Sequence, residues 1–366
     1  MSVYSGATTH KSITVSAQFL EPGQGGIGRV ARLTVKALQA SYNVSALAVE
    51  DRARHCIGGV RVRPFNGSRW RFVLANTFNI VAQRSLIYDF PGTARAHRLI
   101  FPFSTHYAVW IHGFEVWDRT TLRSDYVSVV KNAQLVLVNS SYTLTRAQEV
   151  LGPLHQARVC WLGTEDDHEP PHIRAQGPPT LLFVGRSDEL FAKGQDILIE
   201  IWPTIVSQIP NARLVFVGGG NRLTHLQELA RTSQATRNID VLGFVPEAEM
   251  HAIWHRATAF AMLSFVEGFG LVFVEAMRQG LPVIASTEDA SCEINVNGVT
   301  GWNIARKDRA TLIDRVAFLL RNEECARAFG RAALERWRSS FRFSAFSQRL
   351  NTAIAPWLQN SDKRTG

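Results

Sequence analysis

Cysteine is scarce in this chain of 366 residues: there are four, Cys56, Cys160, Cys292 and Cys325, far apart in sequence. They form no C-x-x-C pair and no zinc-ligand spacing. A disulfide scaffold and a structural zinc site are therefore not expected, and a reducing compartment is. No apolar run approaches the ~20 residues that a membrane-spanning helix needs. The best stretch, Phe72 to Tyr88, is broken by Asn76, Asn79, Gln83 and Arg84. The opening MSVYSGATTHKS has no basic patch followed by an apolar core. No signal peptide is read there, and a cytoplasmic protein is the default expectation. No Asp-x-Asp pair, no helix-turn-helix and no RNP-like motif occurs. Metal held by paired carboxylates is therefore not expected, and neither is nucleic acid. Apolar residues are not lacking: they make up 46% against 19% charged. That excludes a disordered chain and suggests two domains.

Negative charge is scarce in one half only. Residues 1–164 hold 18 Lys+Arg against 8 Asp+Glu, and the remainder holds 22 against 23. Arg61, Arg63, Arg69, Arg71, Arg84, Arg95 and Arg98 fall in one short region, with Trp70, Phe72, Phe78, Phe90 and Phe101 among them. A basic, aromatic surface suits an anionic membrane or an acidic substrate better than nucleic acid. An ordinary solvated basic face is the alternative reading.

Ser12 to Phe19 alternates like a strand, a Gly-rich turn follows, and Arg29 to Gln39 has helical spacing. Short apolar strands at Val44–Val49, Tyr107–His112 and Leu135–Asn139 alternate with helical patterns. Residues Gly163 to Pro179, polar with four prolines, read as a linker whose acids Glu165, Asp166 and Asp167 are solvated. The rhythm restarts at Leu181–Gly185 and runs through Gly194–Gln208, Arg213–Val217, Leu223–Thr232, Val241–Phe244, Pro246–Arg256, Ala259–Ser264, Gly270–Gln279 and Pro282–Ser286. From about Asp308 the tail is helical. This is an α/β chain with two mostly parallel sheets and a cleft between them.

The segment Phe265-Val-Glu267-Gly-Phe269-Gly270-Leu271-Val272-Phe-Val-Glu275 joins a strand end to a helix start. Its glycines allow close approach of a ligand, and the helix N-terminus offers N–H groups and a positive dipole end to phosphate. Glu275, one turn in, can accept two hydrogen bonds from a ribose diol. Arg186 and Lys193 follow the strand Leu181–Gly185 and can neutralise a diphosphate there, one as a planar fork and one as a point charge. His112 ends the strand Val109-Trp-Ile-His before a glycine, where a side chain meets a cleft. The turn holding Gly26 and Gly28 lacks the G-x-G-x-x-G spacing and a ribose-binding acid, so a dinucleotide site is not read there.

Glu267 and Glu275, with seven residues between them, resemble the E-x7-E signature of retaining GT-B glycosyltransferases, family 4. The resemblance covers about Leu181 to Asn303. It includes F-V-G-R-S-D-E-L-F-A-K-G, V-F-V-G-G-G, L-G-F-V and E-I-N-V-N-G-V-T-G, with looser matches at G-G-I-G-R-V and W-I-H-G-F-E. It implies a GT-B fold of two Rossmann-like domains facing each other across a cleft. An acceptor domain would span 1–164, a donor domain 178–342, and a helix at 343–366 would cross back to the first. It implies transfer of a hexose from a nucleotide-sugar, GDP-mannose first and a UDP-hexose next, with retention and without metal or cofactor. The acceptor is a saccharide or lipid-linked saccharide, in bacterial exopolysaccharide or lipopolysaccharide assembly. Peripheral contact with the inner face of the membrane goes with that reading.

By the same resemblance, His112 and Glu267 are catalytic. Gly26, Gly28, Arg186, Lys193, Gly218, Gly243, Phe244, Phe269, Gly270, Leu271, Val272 and Glu275 bind the donor. A sugar-nucleotide 2-epimerase of the same fold, or a non-catalytic nucleotide-sugar-binding protein, is the alternative.

Overall fold

The structure, a computed structural model, describes residues 11–82, 84–100, 106–120, 122–171, 176–188 and 193–362, the side chains of 98–100 and 360–362 aside. Phe101, the linker stretch 172–175 and the motif stretch 189–192 lie outside the described residues. The chain divides into two compact units, one of residues 1–165 with 343–366 and one of residues 166–342.

The first unit is built on eight strands: β1 (Ser12–Ala17), β2 (Asn43–Ala48), β3 (Cys56–Ile57), β4 (Val60–Pro64), β5 (Ser85–Tyr88), β6 (Tyr107–Ile111), β7 (Leu135–Val138) and β8 (Ala157–Val159). Their order across the sheet is β3-β4-β2-β1-β5-β6-β7-β8. All neighbours are parallel except the short β3–β4 hairpin. The central strands are apolar runs buried on both faces, as in LVLV of β7, because helices cover both sides of a parallel sheet. The helix Phe343–Asp362 belongs to this unit and packs on the helix Gly25–Leu38. Phe346, Leu350, Ile354 and Trp357 of that helix are buried, each worth ~1.5–3 kcal/mol of transfer free energy. Lys36 Nζ sits 4.8 Å from the centre of the Phe343 ring.

The second unit holds β9 (Thr180–Val184), β10 (Arg213–Val217), β11 (Ile239–Gly243), β12 (Ala259–Met262), β13 (Val283–Ser286) and β14 (Gly301–Ile304). They are parallel, in the order β11-β10-β9-β12-β13-β14. This is the doubly wound Rossmann order, with the sequence order reversing between β9 and β12. Both units are thus Rossmann-like α/β units. Among the described residues no helix is long and apolar enough to cross a membrane.

Two expectations change, and one holds. The first helix begins at Gly25, not Arg29, because Gly25 takes φ +77° and lets the chain turn directly into it. Gly26 and Gly28 therefore lie in the helix's opening turn. The apolar run from Phe72 to Tyr88 divides into the helix Arg69–Val81 and β5, with Asn76 and Asn79 hydrogen-bonded inside the helix. The linker acids Glu165 and Asp166 are not simply solvated: Glu165 pairs with Arg29 and Arg32, and Asp166 with Arg278.

Candidate active site

In an open parallel sheet a ligand sits beyond the strand C-termini where the strand order reverses. In the second unit that point lies between β9 and β12. The loop after β9 and the loop after β12 meet there. The backbone N–H of Leu263 donates to the carbonyl of Lys193 at 3.0 Å. Gly194 at φ +86° makes this approach feasible, since a Cβ on it would fall 2.7 Å from Leu263 Cβ. The pinned segments bring two predicted residues together: Lys193 Nζ lies 2.9 Å from Glu267 Oε2, and each side chain is about one-fifth exposed.

Glu267 is held from behind by a residue the sequence reading missed. Asp289 Oδ2 accepts from the Glu267 N–H at 3.3 Å, and the Glu267 carbonyl accepts from Ala290 N–H at 3.2 Å. Asp289 is buried and also accepts from Ser291 N–H and Oγ–H. Burial pushes its carboxyl up to about 7, against the Ser291 hydrogen bonds and with help from the Glu267 charge.

Gly270, at φ +94°, is the left-handed residue that opens the helix Leu271–Arg278. Leu271, Val272 and Glu275 are half-buried in its first two turns. First-turn N–H groups have no intrahelical acceptor, so those of Leu271 and Val272 are free of that demand. The Phe269 side chain is turned inward, 2% exposed and edge-on to Phe341 with ring centres 6.1 Å apart. As a donor contact Phe269 can offer only its main chain.

Gly218 and Gly220 let the β10 loop lie against the β9 loop. A Cβ on Gly218 would fall 2.1 Å from the Gly185 carbonyl oxygen. Ser187 N–H donates to the Gly219 carbonyl at 2.9 Å, and Gly218 N–H to the Gly243 carbonyl at 2.8 Å. Gly218, Gly243 and Phe244 thus share one edge of the site, with the Phe244 ring 80% exposed. Arg186 shares the β9 loop, but its guanidinium is 73% exposed and donates to Asp188 Oδ2 at 2.8 Å. The buried Gln195 fastens this loop, its amide donating to the Arg186 carbonyl and to Ser187 Oγ.

The first unit has its own reversal point, between β1 and β5. His112 follows β6 beside it. Its Nε2 is 2.6 Å from the Asp89 carbonyl oxygen, so Nε2 carries the proton. Burial holds the imidazole below its ordinary range despite Glu115 and that carbonyl, so the ring is neutral near pH 7 with Nδ1 left as an acceptor. Asp89 is buried after β5, accepts from Gln18 N–H and the Thr93 hydroxyl, and is pushed by burial up to about 7. Nearby opens a cavity of about 470 Å³, lined among others by Gln18, Glu50, Arg69, Phe90, Thr93 and Arg95.

Residues 164–336 match the family of glycosyl transferases group 1. A GDP-mannose-dependent alpha-(1-6)-phosphatidylinositol monomannoside mannosyltransferase from Mycobacterium tuberculosis is 30% identical over 270 residues, 69% of either chain. The chain belongs to the group 1 glycosyl transferases. Glycogen synthase from the same organism is 33% identical over 234 residues, 63% of this chain and 53% of that one. The glycosyltransferase also superposes on sucrose-phosphate synthase from Thermosynechococcus elongatus with a TM-score of 0.78 at 19% identity, covering 96% of this chain and all of that one. The Anabaena HepE protein in complex with UDP and glucose gives a TM-score of 0.77 at 17% identity, covering 95% of this chain and all of that one. The fold is GT-B, and the enzyme is a hexosyltransferase that uses a nucleotide-sugar.

Sequence reasoning about this glycosyltransferase missed Asp89, Asp289 and Gln195. Each is a lone polar residue just past a strand or opening a helix, where it reads as a cap or a solvated loop group. Only the fold shows that all three are buried and hold a site loop.

Proposed function

We propose that the enzyme transfers a hexose with retention from GDP-mannose, with a UDP-hexose as the second choice, to a saccharide or lipid-linked saccharide. The observation that carries the reading is the Lys193–Glu267 pair beside the N-terminus of the helix Leu271–Arg278, at the reversal point of the second sheet. The mannosyltransferase relative supports the choice of donor.

In this reading the second unit binds the donor. Lys193, Arg186 and the first-turn N–H groups of Leu271 and Val272 neutralise the diphosphate. The main chain of Phe269 and Gly270 lets it approach, and Glu275 takes the ribose hydroxyls. Gly218, Gly243 and Phe244 wall the nucleoside. Glu267 orients the sugar and stabilises charge developing at the anomeric carbon. His112 accepts a sugar hydroxyl proton at Nδ1 in a hydrogen bond, and Gly26 presents its main-chain N–H to the phosphate; Gly28, buried against Phe19 with its N–H inside the helix, only seats that turn.

The acceptor oxygen attacks the anomeric carbon on the face the diphosphate leaves. The anomeric C–O bond to phosphate breaks as the bond to the acceptor forms, and the departing phosphate oxygen takes the acceptor's proton. The leaving charge is met by fixed cations and a helix N-terminus, so no metal is needed. The cavity of about 470 Å³ in the first unit is the place for the acceptor, with Arg69 as the cation for an anionic one, Arg95 there being paired with Asp125. Exopolysaccharide or lipopolysaccharide assembly is the setting that uses such acceptors.

Thermal-shift titration with GDP-mannose, UDP-glucose and their nucleotides tests the donor. Stabilisation by GDP-mannose that disappears in Lys193→Ala is expected; equal stabilisation of that variant would remove the site. Incubating donor with no acceptor separates transfer from epimerisation, since an epimerase would convert it.

A further inference from the structure

The helix Arg69–Val81 is inside out. At 100° per residue, Trp70, Leu74, Phe78 and Val81 fall on one stripe, and these are its solvent face, 68%, 58%, 70% and 67% exposed. Its buried face carries Phe72 with two amides, Asn76 and Asn79. Asn76 accepts from Ser16 Oγ–H at 2.6 Å and donates to the Phe72 carbonyl, and Asn79 donates to the Ala75 carbonyl. The polar side chains are thus satisfied inside while the large apolar ones point out. Water alone does not favour this arrangement: four large side chains in one exposed stripe is a patch that soluble monomers rarely keep.

The surroundings say what covers it. Arg69 and Arg71 are exposed on the same helix. Beside Phe78 opens a cavity of about 390 Å³, lined by Arg61, Arg63 and Arg84 with Ser45 and Asn79, and by no carboxylate among its described lining residues. Arg84 donates one hydrogen bond, to Ser45 Oγ at 3.0 Å, and keeps further N–H groups for a ligand. An apolar stripe flanked by guanidiniums is the chemistry of an interfacial helix on an anionic bilayer: rings and aliphatic chains enter the acyl boundary, and cations meet head-group phosphates.

We propose that the helix Arg69–Val81 seats the enzyme on an anionic membrane. Trp70, Leu74, Phe78 and Val81 insert, and the cavity of Arg61, Arg63 and Arg84 takes a phospholipid head group. The side of the same helix turned away from the stripe supplies Arg69, Phe72 and Val73 to the larger cavity of the first unit. A lipid-borne molecule drawn up beside this helix would meet that opening without leaving the bilayer surface.

The test is cosedimentation of the full chain with phosphatidylglycerol and with phosphatidylcholine vesicles. Binding to phosphatidylglycerol that weakens with salt is expected. It should fall about tenfold or more in Trp70→Gln/Phe78→Gln, and likewise in Arg61→Gln/Arg63→Gln. Both variants should keep the melting temperature and the nucleotide-induced thermal shift of the parent, because the replaced side chains lie outside the core. Parent protein that ignores phosphatidylglycerol, or variants that bind it as the parent does, would overturn the proposal. So would a dimer of the parent that the Trp70→Gln/Phe78→Gln change splits, since a second copy would then be the occupant. The nucleotide-induced shift reads the donor site separately, so its loss would count against that site and not against the membrane face.

Discussion

Lys193 and Glu267 are an ion pair 2.9 Å long, made by residues 74 positions apart and set at the C-terminal ends of two adjacent strands. One partner is the cation proposed for the donor's diphosphate and the other the carboxylate proposed for its sugar. A phosphate that approaches Lys193 competes with Glu267 for it and leaves that carboxylate open toward the ring beside it. The pair therefore joins diphosphate binding to the presentation of Glu267.

Removing the cation is expected to cost most. Lys193→Ala should lower the rate of hexose transfer by about 10²–10³-fold, the range for one preorganised charge-stabilising group. Circular dichroism and melting temperature of the variant should stay close to the parent's. A parental rate from the folded variant would refute the role given to Lys193.

Glu267→Gln separates binding from chemistry. The isosteric amide keeps its place beside Lys193 but loses the charge, so donor Kd should change little while kcat falls at least tenfold. A rise in KM with kcat unchanged would make Glu267 a binding residue only.

Two glycines give opposite outcomes. Gly218→Ala puts a Cβ 2.1 Å from the Gly185 carbonyl oxygen at φ +132°, and should lower the melting temperature by several degrees and abolish donor binding. A Cβ on Gly26 meets nothing within 4 Å, and the residue is helical. Gly26→Ala should therefore stabilise by about 0.4–1 kcal/mol. If Gly26 presents its main chain to phosphate, transfer falls although stability rises; unchanged transfer would remove it from the donor site.

Stability should decrease as pH rises from 4 toward 7. Asp89 and Asp289 titrate at about 7 in the fold, against an ordinary 3.8. Within that window the folded chain keeps protons that the unfolded chain has released. Raising pH then favours the unfolded state, and the loss is complete above about 7. Melting temperatures between pH 5 and 8 should show this decline, and Asp89→Asn/Asp289→Asn should flatten it. An identical slope in the double variant would contradict the buried-carboxyl account.

The E-x7-E spacing, the two cations and the alternation of strand and helix were legible in the sequence because each is a local pattern. Nine of the second unit's helices and strands, among them Arg213–Val217 and Leu223–Thr232, lie within two residues of their expected bounds. What was not legible depends on contacts far along the chain. β5, β8 and β14 are three or four residues long and show no period of their own. The inward turn of Phe269 is set by Phe341, and the attachment of Arg186 to Asp188 by loop geometry that spacing does not encode. The exposed stripe of Arg69–Val81 was hidden for a different reason: its apolar residues have proper helical spacing, and only the sheet beneath shows which side faces out.

The helix Phe343–Asp362 completes the core of the first unit from the far end of the chain. The second unit is contiguous and can condense while residues 343–362 are still inside the ribosome. The first unit, nascent before it, has to wait until residues 343–362 emerge, with the surface meant for Phe346, Leu350 and Trp357 bare. During that interval this arginine-rich half is the portion of the polypeptide most in need of a chaperone.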